Sequence, residues 1–309
     1  MSVLFTFPGQ GAQKPGMLHA LPAHPDTART LDEASAALGR DVRPLDSEPA
    51  LVSTVAVQLC LLVAGVAMAR VLAAHGAQPE MVAGLSIGAW PAAVTAGVLD
   101  FADAVRLVEL RARLMEDAYP SGYGMTAIGG LTRQQLAPLV AAVHASATPV
   151  YLANLNAPRQ IVIAGSDAAM AAVAALALHH GAQRAEQLAV AVPSHCELFD
   201  VQARTLGCAM QQVALQRPRI TYISSSAARA LFDGRRIGAD LAANMAQQVL
   251  WADTVRHAWE RGARLALEMP SGSILTKLTG PEFVDGVALS CDGARLDSLV
   301  AAVNGAGTA

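Results

Sequence analysis

The segment GLSIG, residues 84–88, sets Ser86 between two glycines directly after a short apolar run. A strand that turns into a helix through G-x-S-x-G lifts the serine oxygen above a sheet and aims the next backbone N–H at it, the geometry acyl transfer needs. The pentapeptide alone fits a tight turn of common turn residues equally well. A serine hydroxyl becomes a useful nucleophile beside a base, and histidine is the usual one. Of eight histidines, His19, His24, His75, His144, His179, His180 and His257 fall in polar turns, near helix ends or within helices, where surface and capping roles are ordinary. His195, in VAVPSHCEL, follows an apolar strand-like run and a helix-starting Pro-Ser. That is the kind of strand end where open α/β sheets place their sites, although a satisfied structural histidine fits the position too.

An arginine adds a second chemical clue. In DFADAVRLVELRARLMED, at about 100° per residue, Phe101, Ala104, Val105, Leu107, Val108, Ala112, Leu114 and Met115 form an apolar arc. Arg111 falls inside this arc, whereas Arg106 and Arg113 fall outside. A guanidinium buried without a partner costs several kcal/mol, so an anion must meet it. That anion is either a buried Asp or Glu of this chain or a carboxylate of a substrate, held by two parallel hydrogen bonds. The loop FPGQGAQKPGM lacks P-loop spacing, and Lys14 stands where G-x-G-x-x-G requires its last glycine, which disfavours a nucleotide. As a turn after the first strand it either presents the N–H of Gln10 as a second oxyanion donor or simply ends the strand.

These residues must be positioned by a sizeable fold. The 309 residues are 53% apolar and 15% charged, which argues for a globular protein with one large core or a core and a satellite domain. A net charge of −3 and few aromatic residues give no footprint for nucleic acid. Cys60, Cys196, Cys208 and Cys291 form no C-x-x-C pair, so reduced thiols in a cytoplasmic setting are expected and no metal site is readable. No basic segment followed by an apolar one opens the chain, so export is not expected. VAVQLCLLVAGVAMARVLAAHG contains Gln58 and is cut by Arg70, so it reads as short of the roughly 20 residues a membrane span needs and as a buried core helix.

The runs 3–7 and 80–84 read as buried strands flanking a helix from about Ser53 to Ala74, the wiring of a parallel sheet. Between 123 and 192 the pattern becomes β-α-β-β-α-β, the order of a ferredoxin-like unit, with its last strand at 185–192. The expected organisation is a large α/β domain of residues 1–122 and 193–309 carrying a small domain of residues 123–192. Beyond the insert, a helix at about 196–215, a strand at 219–225, one long helix over 238–262, a strand at 264–269, a short helix, a strand at 286–290 and a terminal helix are expected.

Taken together, FPGQGAQ, GLSIGA, AGVLDFADAVRLVELR, NLNAPRQIVIAG, VPSHC and LEMPSGSILTKL resemble the malonyl-CoA:acyl carrier protein transacylase family, in family order and along nearly the whole chain. The resemblance implies an α/β-hydrolase-like large domain with a ferredoxin-like insert. It implies Ser86 as the acylated nucleophile, His195 as its base, Arg111 as the clamp for a malonyl carboxylate, and the N–H groups of Gln10 and Ile87 as the oxyanion hole. Asn244 matches the position whose backbone carbonyl orients the histidine, so a Ser-His pair needs no acidic third member. Malonyl-CoA is the implied substrate and an acyl carrier protein the partner, with no permanently bound cofactor and neither nucleic acid nor membrane.

The chain departs from the family in carrying Leu85 where histidine is usual and Ala89 where glutamate is usual, and in QQVLW, which lacks the proline before the tryptophan. With GLSIGAW and the N-terminal stretch, these features look most like the epsilon subunit of malonate decarboxylase. That kinship implies a carrier bearing a phosphoribosyl-dephospho-CoA arm, and other decarboxylase subunits as partners. The alternatives are the fatty-acid synthesis transacylase with a phosphopantetheine-bearing carrier, a serine esterase or thioesterase, and a carrier-binding subunit without turnover.

Overall fold

Apolar runs of four to six residues are too short for buried helices and become the centre of a sheet. In the computed structural model, which describes residues 2–308, β1 (Ser2–Phe7) and β2 (Met81–Gly84) pair in parallel, with Leu4 opposite Met81 and Phe7 opposite Gly84. Parallel neighbours need a crossover. Here α1 (Pro25–Leu38) and α2 (Thr54–Ala74) supply it, and α3 (Ala89–Thr95) and α4 (Phe101–Ala118) follow β2. Ser53 caps α2 by accepting the Val55 N–H at 3.1 Å.

The expectation that α2 falls short of a membrane-spanning length does not hold. Its 21 residues, with a mean hydropathy of 2.2, are long and apolar enough to cross a bilayer. Its apolar stretch is instead 89% buried, against α1, α3 and α4, so the reading as a core helix stands on packing and not on length.

A second sheet interrupts the first. β3 (Tyr123–Gly129), α5 (Arg133–Val143), β4 (Val150–Ala157), β5 (Gln160–Ser166), α6 (Asp167–His179) and β6 (Arg184–Gln187) form an antiparallel sheet of order β4-β5-β3-β6. Its own core contains Ile128, Leu136, Ile161, Ile163, Met170 and Val173. The last strand is shorter than the 185–192 expected: it ends at Gln187, Leu188 makes one more hydrogen bond to the Met125 carbonyl, and Leu188, Ala189 and Val190 wall a cavity.

The chain returns through α7 (Asp200–Met210), β7 (Thr221–Ser224), β8 (Arg229–Leu231), α8 (Gly234–Ala243), α9 (Trp251–Glu260), β9 (Ala263–Glu268), α10 (Ile274–Thr279), β10 (Val287–Ser290) and α11 (Leu296–Thr308). The large sheet has the order β10-β9-β1-β2-β7-β8, parallel except for the β7–β8 hairpin. The architecture is thus an α/β-hydrolase-like large domain with a ferredoxin-like small one. The single helix expected over 238–262 is two helices, split by a 3-10 turn at Asn244–Ala246 and a non-helical stretch over 247–250 that is extended at Gln247 and bridged at Val249. Its helix-forming residues favour continuity, and tertiary hydrogen bonds override them.

Candidate active site

The elbow after β2 is forced by crowding. A Cβ on Gly84 would lie 2.0 Å from the carbonyl carbon of Gly88, and one on Gly88 would lie 2.0 Å from the Phe7 carbonyl oxygen, so only glycine fits either place. Between them Ser86 takes a left-handed backbone with φ 56°, a conformation that costs a non-glycine residue about 1–2 kcal/mol. Strain of this kind gathers at functional sites. Ser86 opens a 3-10 turn that runs into α3.

His195 is held in an equally unusual backbone, φ 67°. Its N–H donates to the Met245 carbonyl at 2.7 Å. On the ring, Nδ1 lies 2.8 Å from the Asn244 carbonyl and 3.1 Å from that of Gln247, while Nε2 lies 2.8 Å from Ser86 Oγ. Carbonyls only accept, so the proton sits on Nδ1 and the Nε2 lone pair faces the serine hydroxyl, which donates to it. Burial, and secondarily the nearby Arg111 charge, push the imidazole down to about 4, which keeps it a neutral base at neutral pH. The Gln247 carbonyl was not legible in sequence, because the turn that presents it lies inside a run of helix formers.

Arg111 is fully buried, as the apolar arc of α4 requires, while Arg106 and Arg113 pair with Asp103 and Glu109 at the surface. Among the described residues no carboxylate forms an ion pair with Arg111, which removes the alternative of an internal Asp or Glu. Its Nη1 donates to Gln58 Oε1 at 2.5 Å, its Nη2 to Ser86 Oγ at 3.3 Å, and its Nε has no acceptor. Burial pulls the guanidinium down to about 9, leaving it charged at neutral pH. Gln58 is a site residue that the sequence reading passed over. Its signal was a lone amide in the second turn of the most apolar helix.

A cavity of about 510 Å³ opens beside Ser86, with Gln10 and Ile87 on its wall next to the serine and Asn154 and Asn156 of β4 on the small-domain side. The guanidinium lies behind this wall, beyond Ser86, Gln58 and Met115. An incoming carboxylate therefore has to reach the guanidinium past Ser86 and Gln58, the two groups that already accept hydrogen bonds from it. Leu85 packs toward Gly9, where an added Cβ would come within 2.6 Å of Leu85 Cδ2, and Ala89 is buried; neither apolar side chain can hydrogen-bond His195. The remaining histidines keep ordinary duties: His24 caps α1, and the ring of His257 accepts the Ala230 N–H.

A nucleophile elbow, a neutral histidine and a buried cation are the components of carboxyacyl transfer, and comparison with known proteins agrees. Residues 4–284 match the family model described as acyl transferase domain. The chain is 40% identical over 281 residues to the malonyl CoA-acyl carrier protein transacylase of Haemophilus influenzae, covering 88% of this chain and 89% of that protein. Its fold matches the malonyl CoA-acyl carrier protein transacylase structure from Coxiella burnetii with a TM-score of 0.93 at 30% identity, over 98% and 97% of the two chains. It also matches a malonyl-transacylase solved in complex with its type II polyketide-synthase acyl carrier protein, with a TM-score of 0.91 at 34% identity over 99% and 100%. Fold and matched span make the protein an acyltransferase. Within that class, the chain belongs to the malonyl-CoA:acyl carrier protein transacylase family.

Proposed function

We propose that the protein moves a malonyl group from malonyl-CoA to the thiol of an acyl carrier protein through a malonyl-serine ester. His195 Nε2 takes the Ser86 proton as Oγ attacks the thioester carbonyl carbon. The N–H groups of Gln10 and Ile87 hold the resulting oxyanion. The C–S bond then breaks, and the imidazolium returns its proton to the departing CoA sulfur. In the second half the carrier thiol gives its proton to His195 as its sulfur attacks the ester carbonyl; the C–O bond to Ser86 then breaks and the imidazolium returns that proton to Oγ. The carbonyls of Asn244 and Gln247 fix the tautomer throughout.

The observation that carries this reading is the uncompensated Arg111 cation 3.3 Å from the nucleophile. A malonyl carboxylate supplies the missing charge, whereas an acetyl group leaves the guanidinium unpaired and is rejected. Pairing also relieves the Coulombic push of Arg111 on His195, so the base strengthens when the right substrate is in place. No resident cofactor is needed for any of these steps.

For the acceptor, the names of the relatives and the polyketide-synthase carrier complex of a 34% identical transacylase support a free acyl carrier protein, and the first reading takes it to be the phosphopantetheine-bearing carrier of fatty-acid synthesis. A second reading, the transacylase subunit of malonate decarboxylase acting with that enzyme's other subunits, is favoured by Leu85 and Ala89. Both readings place the protein in the cytoplasm, in keeping with its free thiols. Intact-protein mass spectrometry tests the chemistry: malonyl-CoA should load Ser86 of the wild type and acetyl-CoA should not, and Arg111→Ala should lose malonyl loading by about 100-fold. Equal loading by both thioesters would break the specificity argument. Offering the malonyl-enzyme the two kinds of carrier, one per reaction, then decides between the readings by which thiol is loaded.

A further inference from the structure

His195 and the small domain share one short strip of backbone. Residues 244–247 supply every backbone acceptor the histidine uses: Met245 for its N–H, and Asn244 and Gln247 for Nδ1. The next three residues turn to other partners. Val249 donates its N–H to the Ala153 carbonyl at 2.9 Å and accepts the Leu155 N–H at 2.7 Å, a parallel bridge centred on Asn154. Leu250 N–H bonds the Ser225 carbonyl at 2.7 Å, back in the large domain. The side chain of Gln248 donates through Nε2 to the Leu152 carbonyl at 2.9 Å. The edge strand β4 of the small sheet thereby gains a short extra neighbour on its free side, and that neighbour is the continuation of the histidine's cradle.

This arrangement has a mechanical reading. The Nδ1–H of His195 is shared between two carbonyls, and the Gln247 carbonyl, at 3.1 Å, is the longer of the two. Its place depends on the extended backbone that begins at Gln247, in a sequence whose local preference is helical. What holds that stretch extended is pairing with β4, and β4 also walls the catalytic cavity through Asn154 and Asn156. We infer that Gln248 is a positioning residue for the acyl transfer, clipping the small domain to the turn that orients His195. The inference rests on the Ser86–His195 chemistry proposed above. Gln248 touches neither substrate nor the reacting atoms in this account and acts only through the Gln247 carbonyl.

The test compares Gln248→Met, which keeps length and loses the donor, with Gln248→Lys, which keeps a donor on a stem of similar reach. Each full-length variant is assayed for malonyl transfer from malonyl-CoA to a carrier thiol, and the His195 ring is followed by NMR with ¹⁵N-labelled histidine. Gln248→Met should lower kcat roughly fivefold with KM within twofold, the scale of one hydrogen bond. It should also bring in signal from the tautomer protonated at Nε2, while Gln248→Lys should return kcat and spectrum close to wild type. A Gln248→Met protein with wild-type kcat and histidine signals overturns the inference, as do equal losses in both variants or a loss explained by a lowered melting temperature. Wild-type protein that never acquires a malonyl group would defeat the proposed chemistry itself, whereas an active wild type with a silent Gln248→Met defeats only the clip.

Discussion

The two corners that meet at the Ser86 hydroxyl are built in opposite ways. Ser86 and His195 both hold left-handed backbones, and their side chains lie 2.8 Å apart although 109 residues separate them. The serine corner is made locally, by Gly84 and Gly88 fitting where no Cβ can. The histidine corner is made at long range, by carbonyls from 244–247 that reach it across the fold. A local corner is specified by residue type at fixed spacing, whereas a remote one is specified by whatever keeps a distant backbone in place. Side chains at the second corner are therefore more replaceable than those at the first.

The largest test of this contrast removes the proposed nucleophile. Ser86→Ala should lower malonyl transfer by roughly 10⁴-fold or more, since a serine and its base act as a unit. Ser86→Gly should be as inactive yet about 1 kcal/mol more stable in chemical denaturation than Ser86→Ala, because glycine accepts φ 56° without penalty. Equal stabilities would mean the elbow is not strained. Next comes a matched pair of alanines. Gly88→Ala should cost about 3 kcal/mol or more, by overlap with the Phe7 carbonyl. Asn244→Ala keeps the carbonyl that His195 uses and loses only the Nδ2 hydrogen bond to Ser226, so it should cost about 1 kcal/mol and retain most activity. Comparable damage from the two would erase the distinction between the corners.

The smallest effect is a titration. His195 followed by NMR should protonate near pH 4 in the wild type, so the neutral base is present above that pH and lost below it. In Arg111→Gln the positive neighbour is gone, so the midpoint should rise while burial keeps it below the ordinary 6.5. A wild-type midpoint at the ordinary value would show that the imidazole is neither as dry nor as close to a cation as its surroundings indicate.

Legibility in sequence followed the same division. The parallel pair β1–β2, the elbow and the burial of Arg111 could be read from apolar runs, glycine spacing and helical periodicity, since each is set by a few neighbouring residues. The partner of Arg111 could not be read: nothing in α4 reports that Gln58, 53 residues upstream, accepts its Nη1 hydrogen bond. The histidine's cradle was misread outright, because Ala243 to Leu250 has good helix formers and its departure from helix is imposed by His195 on one side and β4 on the other. Only the resemblance marked Asn244. Where local preference and observed backbone disagree most, between α8 and α9, the chain is serving the site.

The helix α2 carries a demand of another kind. A 21-residue segment this apolar meets the length and hydropathy of a bilayer span, and two of the helices that cover it, α3 and α4, follow it in the chain. Without Phe101–Ala118 the apolar surface that α2 turns toward α4 has no cover. Chains truncated before Phe101 should therefore sediment with aggregates or with added vesicles where the full-length protein stays in solution, a comparison that exposes a property the finished enzyme keeps hidden.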